Sequence, residues 1–149
     1  MNASFLKLTP VQVLALTIFG EARGEPTEGK IAVGSVILER VDHRDWDGKT
    51  IPEVCFKPWQ FSCYNEHDPN YPKLLEIAEH WNDKSMPLDM ALNNCYGIAA
   101  GLISGNIPRT PEIARTHCCN YATSLGAMRA TWDDNMKVIA HIGGHIFYG

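Results

Sequence analysis

The sequence has no cluster of positive charge and no long apolar run. Its 13 Lys and Arg are outnumbered by 17 Asp and Glu, for a formal net charge of −4. The basic residues are scattered, so the basic footprint of a nucleic-acid binder is missing, and the acidic balance argues against stable association with anionic membranes. The main apolar stretch, Val11–Phe19, is broken by Gln12 and Thr17 and is too short to span a bilayer. One Lys precedes it, and Glu21-Ala22-Arg23-Gly24-Glu25 follows where a leader would carry a small-residue cleavage site. It reads as a buried helix, not a signal peptide. No CxxC pair exists, and the five cysteines (Cys55, Cys63, Cys95, Cys118, Cys119) are odd in number. A chain of 149 residues buries enough surface to fold without bridges. Free buried thiols made in a reducing compartment are therefore expected, with no metal and no cofactor. Repeats, linkers and low-complexity tracts are also lacking, which predicts one domain over residues 1–149.

What is present begins with Thr9-Pro10-Val11-Gln12, a capping box with Pro at the first helical position. It predicts a helix from Pro10 to about Ala22, with Val11, Leu14, Ala15, Ile18 and Ala22 on one face and Gly24 as a left-handed cap. A second helix is expected from about Glu28 to Asp42, apolar around most of its circumference as a central buried helix would be. His43 to Tyr71 reads as a long irregular segment, and such segments inside compact domains are usually functional. Helices are expected from Lys73 to about Trp81 and from Leu88 to Ser104, the latter closed by Gly105. Ile107–Ala130 reads as loop. Val138, Ala140 and Ile142 alternate with polar neighbours, and Gly143-Gly144 separates them from His145–Tyr148, which predicts a small hairpin. The fold class is α+β, mostly helical.

Three places could carry chemistry. Glu21 follows an apolar run and precedes a turn, so its carboxyl lies at the rim of the core. It is either an acid paired with Arg23 or solvated, or an acid held protonated by desolvation and by the negative end of its helix. Lys57–Asn65 mixes aromatic surfaces (Trp59, Phe61, Tyr64) with neutral hydrogen-bonding groups (Gln60, Ser62, Asn65). That mixture suits the apolar faces and hydroxyl rims of sugars, or else the aromatics are core. His141 and His145 lie four apart across glycines that preclude a shared helical face, and His117 adjoins Cys118-Cys119.

The run Ile18-Phe19-Gly20-Glu21-Ala22-Arg23-Gly24-Glu25, followed by Gly29-Lys30-Ile31-Ala32-Val33, closely resembles the cell-wall hydrolase family of the spore-cortex-lytic enzymes, the SleB and CwlJ type. The resemblance continues through Gln60-Phe61-Ser62, Ala114-Arg115-Thr116-His117 and Ile142–Tyr148. It implies a lysozyme-like fold and cleavage of the β-1,4 bond between N-acetylmuramic acid and N-acetylglucosamine, with Glu21 as general acid. Gln60, Phe61, Ser62 and His117 lie in the segments that carry the resemblance and, with Trp59 and Asn65 from the aromatic and polar stretch, are expected to bind the glycan strand, with no metal or cofactor, in a monomer. The chain departs from the family at Glu39, which stands before Arg40-Val41 where Asn is usual, and at Cys118-Cys119 after His117. With no leader read in the sequence, the expected setting is a phage endolysin, made in the host cytoplasm and acting on the wall after release. A spore enzyme is the alternative. The resemblance carries over one catalytic carboxylate, Glu21, so the expected reaction is lytic transglycosylation, with Glu39 and Asp68 as open candidates for a second carboxylate. The competing classes are a hydrolytic muramidase, a zinc amidase or peptidase using His117, His145 and cysteines, and a wall-binding module without chemistry.

Overall fold

The capping box forms as read: the Thr9 hydroxyl accepts from the Gln12 N–H at 3.3 Å, and the Gln12 side chain accepts from the Thr9 N–H at 2.9 Å. In the computed structural model, which describes residues 1–83, 89–129, 133 and 135–149, this box opens α2 (Pro10–Ala22), preceded by a short α1 (Ala3–Leu6). Val13, Leu14, Ala15, Leu16 and Ile18 are fully buried, so α2 is the central rod of the core. Only a helix surrounded on all sides can be apolar all round. Around it pack α3 (Thr27–His43), α4 (Ile51–Phe56) and α6 (Met90–Ser104), with α5 (Tyr71–His80) against α1.

Close approach to α2 depends on two glycines. A Cβ at Gly20 would lie 2.8 Å from the Cys63 Sγ, and one at Gly34 would lie 2.5 Å from a Leu102 methyl. Gly20 thereby lets the 3₁₀ turn Ser62–Tyr64 lie directly on the last turn of α2.

After α6 come α7 (Pro111–Thr116), β1 (Asn120–Ala122), α8 (Leu125–Arg129), β2 (Val138–Ile142) and β3 (His145–Tyr148). The strands form one antiparallel sheet in the order β1-β3-β2. The β2–β3 hairpin turns at Gly143-Gly144, with Gly143 at φ 56°. Register pairs Tyr121 with Phe147 and Ile142 with His145.

The α+β, mostly helical, lysozyme-like class with a small hairpin is the one observed. Several local expectations are corrected. The cap of α2 is Arg23 in a right-handed conformation, and Gly24 is not among the residues of positive φ. The segment His43–Tyr71 contains a helix, α4, whose Thr50 hydroxyl accepts from the Glu53 N–H. Of the expected loop Ile107–Ala130, the described part holds α7, β1 and α8, so the sheet has a third strand. Gly105 caps α6 at φ 83° as expected; the expected start of that helix, Leu88, lies outside the described residues, as does Ala130.

Candidate active site

Glu21 is the penultimate residue of α2. The apolar interior of the helix lies behind it, the 3₁₀ turn on one flank and β1 on another. The Tyr121 hydroxyl donates to its Oε2 at 2.9 Å, while its Oε1 is buried without a nitrogen or oxygen partner. Desolvation by burial pushes the carboxyl above its ordinary value of 4.5, because a buried carboxylate loses the water that stabilises its charge. The negative end of α2 acts in the same direction. Hydrogen bonds from Tyr121 and Cys63 and the nearby His145 oppose the shift, and Asp68 adds to it. Burial also holds the Tyr121 phenol protonated, so it remains a donor.

Glu21 borders a depression of about 380 Å³ formed with Arg23, Glu25 and Asn70. A larger groove of about 590 Å³ is lined by Lys57, Trp59, Asn65, Asp68 and Tyr71, among others. The turn at residues 68–70 adjoins both. Asp68 Oδ1 accepts from the Asn70 N–H at 2.8 Å, and the Asn70 side chain accepts from Arg23 Nη2 at 2.7 Å.

The stretch Trp59–Asn65 divides between groove and core. Trp59 is 83% exposed and adopts φ 68°, a left-handed backbone that is strained for a bulky residue. Its indole offers a free stacking face at the groove. Ser62 is exposed and Asn65 half-buried. Gln60 accepts from Arg40 Nη1 at 3.4 Å. The reading of Phe61 and Tyr64 as sugar-stacking surfaces is corrected. Phe61, 2% exposed, lies under the Arg40 guanidinium, and Tyr64 shares a buried hydrogen bond with Thr17. Both back the groove from beneath.

The remaining acids take distinct positions. Glu25 Oε2 accepts from the Gly144 N–H at 2.9 Å, and its Oε1 lies 3.6 Å from His145 Nδ1. It therefore fastens the hairpin turn to the start of α3. Glu39, an open candidate for a second catalytic carboxylate, is 3% exposed and enclosed by Arg109, His43 and His117. Asp68 is the acid that acts on Glu21 electrostatically and lines the groove. His117 pairs with Glu39, whereas His145 packs edge-on against Tyr121. The structure therefore does not assemble His117, His145 and the cysteines into one site. All five cysteines are free and buried.

Tyr121 was not legible as a site residue. It belongs to a three-residue strand, and its partner lies 100 residues away.

A family model described as Cell Wall Hydrolase matches residues 24–148, beginning just after Glu21. The spore cortex-lytic enzyme of Oceanobacillus iheyensis is 42% identical over 53 residues, 36% of this chain and 19% of that enzyme. The enzyme of the same name from Bacillus subtilis is 38% identical over 53 residues, 36% of this chain and 17% of that enzyme. The similarity thus spans less than a fifth of the length of either relative. The crystal structure of the catalytic domain of the Bacillus cereus SleB protein superposes with a TM-score of 0.57 at 23% identity, covering 93% of this chain and 88% of that one. That likeness is one of fold. With a family match over most of its length, the chain belongs to the cell wall hydrolase family.

Proposed function

We propose that this chain is a single catalytic domain that cleaves the glycan strands of peptidoglycan at the β-1,4 bond between N-acetylmuramic acid and N-acetylglucosamine, with Glu21 as general acid. The observation that carries the reading is the state of the Glu21 carboxyl. Burial raises its pKa, Tyr121 donates to one oxygen, and the other is free of N/O partners beside an open depression. Such a group resembles the acid of lysozyme, a glutamate whose pKa an apolar pocket raises so that it can protonate a glycosidic oxygen. Family membership and the names of the cortex-lytic relatives support peptidoglycan as substrate.

The finer reading is lytic transglycosylation. A hydrolase needs a second carboxylate, roughly 5–5.5 Å away as nucleophile or 6.5–9.5 Å away as base. Glu25 is committed to the hairpin turn and Glu39 to its three cationic or imidazole partners. Glu21 would protonate the leaving oxygen while the substrate's N-acetyl group stabilises the sugar cation. The ionised Glu21 would then take the proton from the C6 hydroxyl as that oxygen closes onto C1. The hydrolytic alternative requires a second carboxylate near Glu21, and Asp68, which lines the neighbouring groove, is an acid available for that role. Asp68, not Glu39, is then the base to test.

Synthesis in a reducing cytoplasm accords with five unbridged, buried thiols. A phage endolysin acting after release fits that setting, and the names of the relatives favour a spore cortex-lytic role. Glu21→Gln is expected to lower wall lysis by at least ~10²–10⁴-fold, the usual contribution of a positioned general acid. Lysis at near wild-type rate would remove Glu21 from the chemistry. A wall-binding module without chemistry predicts no lysis by either protein.

A further inference from the structure

Away from Glu21, three ligand-type groups converge where the C-terminal turn of α3 meets the end of α7. Glu39 Oε2 lies 3.2 Å from His43 Nε2 and 3.2 Å from His117 Nδ1. The two imidazole rings stand 3.9 Å apart, tilted by 36°, and the three ligand atoms lie within 4.8 Å of one another. Among the described residues this is the group that offers three such donors to one point. We propose that Glu39, His43 and His117 form a binding site for a divalent transition-metal ion of the zinc type.

Two of the three separations match that ion. Zinc ligands at ~2.0–2.1 Å in a tetrahedron stand roughly 3.3–3.4 Å from each other, close to both Glu39–His distances. One carboxylate oxygen and two imidazole nitrogens suit zinc or its neighbours, whereas calcium and magnesium take oxygen ligands. Glu39 is 3% exposed, and a buried carboxylate requires partners that neutralise it. Arg109 holds the other oxygen, Oε1, at 3.3 Å and is itself anchored on Asp42 at 2.6 Å. That leaves Oε2 directed at the imidazoles, as an outer-shell partner directs a metal ligand. His43 and His117 are 43% and 57% exposed, so an ion can enter from solvent, and water can complete its shell.

His117 caps α7 in a left-handed conformation, φ 52° and ψ 42°, and its ring packs against that of His43 on α3. The site uses none of the cysteines and is separate from the glycosidic chemistry proposed at Glu21. Its position gives it a structural task. It would clip α3 to the corner from which β1 departs, where the Cys119 carbonyl accepts from Arg40 at 2.8 Å and from Arg44 at 3.2 Å. Tyr121, the partner of Glu21, lies two residues further on.

The test uses the full chain after treatment with a chelator. Titration with Zn²⁺ should find one equivalent bound. The Co²⁺ form should give strong visible bands of a tetrahedral ion without a sulfur-to-metal charge-transfer band. His43→Ala and His117→Asn sit at exposed positions, and Asn tolerates the left-handed backbone. Each should weaken binding by more than the roughly 10–100-fold that loss of an outer-shell partner brings, and should cancel the rise in Tm that Zn²⁺ gives the parent. Circular dichroism checks that both variants fold. No stoichiometric binding, unchanged affinity in His117→Asn, or a thiolate band in the cobalt spectrum would each overturn the site.

Discussion

At the scale of single residues, the proton of the Glu21 carboxyl is predicted to set how both stability and activity vary with pH. The Glu21 carboxyl is raised by burial, so the folded state binds its proton more tightly than the unfolded chain. Below about 4.5 both states are protonated, and burial of the neutral acid carries no ionisation penalty. As pH rises toward and through the raised value, the unfolded chain ionises first and stability falls. Glu21→Gln mimics the neutral acid, so at neutral pH the variant should melt at or above the parent temperature, with the gap closing on acidification. The same titration predicts that lysis by the parent declines as pH rises through the folded-state value. Calorimetry across pH checks the first, and a pH–rate profile the second. Trp59 lies at the opposite extreme. With its indole exposed and its backbone left-handed, Trp59→Ala should leave Tm nearly unchanged while raising the KM for soluble glycan fragments several-fold. An unchanged KM would take Trp59 out of the groove's binding surface.

At the scale of elements, the legible parts were those whose signals are local. The capping box at Thr9, the Gly105 cap and the glycine pair of the hairpin each fix backbone geometry within a few residues. The missed parts are held by distant partners. Strand β1 has three residues and exists through pairing with β3. Helix α7 is one and a half turns long, too short for a period to register. Glu39 and His43 stand four apart on α3, a spacing visible in the sequence, but His117 joins them from 78 residues away. Phe61 and Tyr64 show the limit of composition: aromatic residues beside polar ones describe a cleft and a core edge equally well. Glu25 is the clearest link between elements, because its carboxylate receives the Gly144 N–H at the hairpin turn. Glu25→Ala should cost about 1 kcal/mol, the loss of one partly exposed charge-assisted bond. Hydrogen exchange at Gly144 and its neighbours should speed up while α2 stays protected. Exchange that rises equally everywhere would show that Glu25 supports the whole fold and not the turn.

At the scale of the whole molecule, the core and the candidate site share one wall. The helix that supplies Glu21 runs through the buried core, so the acid rests on a rigid support, and Cys63 and Tyr64 of the 3₁₀ turn pack on the same helix. The cysteines belong to this interior. Burial pushes the Cys55 thiol up to about 12 and Cys95 to about 11, which keeps them protonated and unreactive. A thiol reagent should therefore label the native protein slowly and should find five thiols after denaturation without reductant. A deficit of two would reveal a disulfide. Which bond is broken, and how the cut is completed, can be read together by mass spectrometry of fragments released from purified peptidoglycan. The parent should release fragments ending in 1,6-anhydro-N-acetylmuramic acid, lighter by one water than hydrolytic ends, and Glu21→Gln should release none. Reducing N-acetylmuramic acid ends would show that water is activated, with Asp68 as the base to test. Intact glycan strands stripped of their peptide stems would contradict glycosidic cleavage outright.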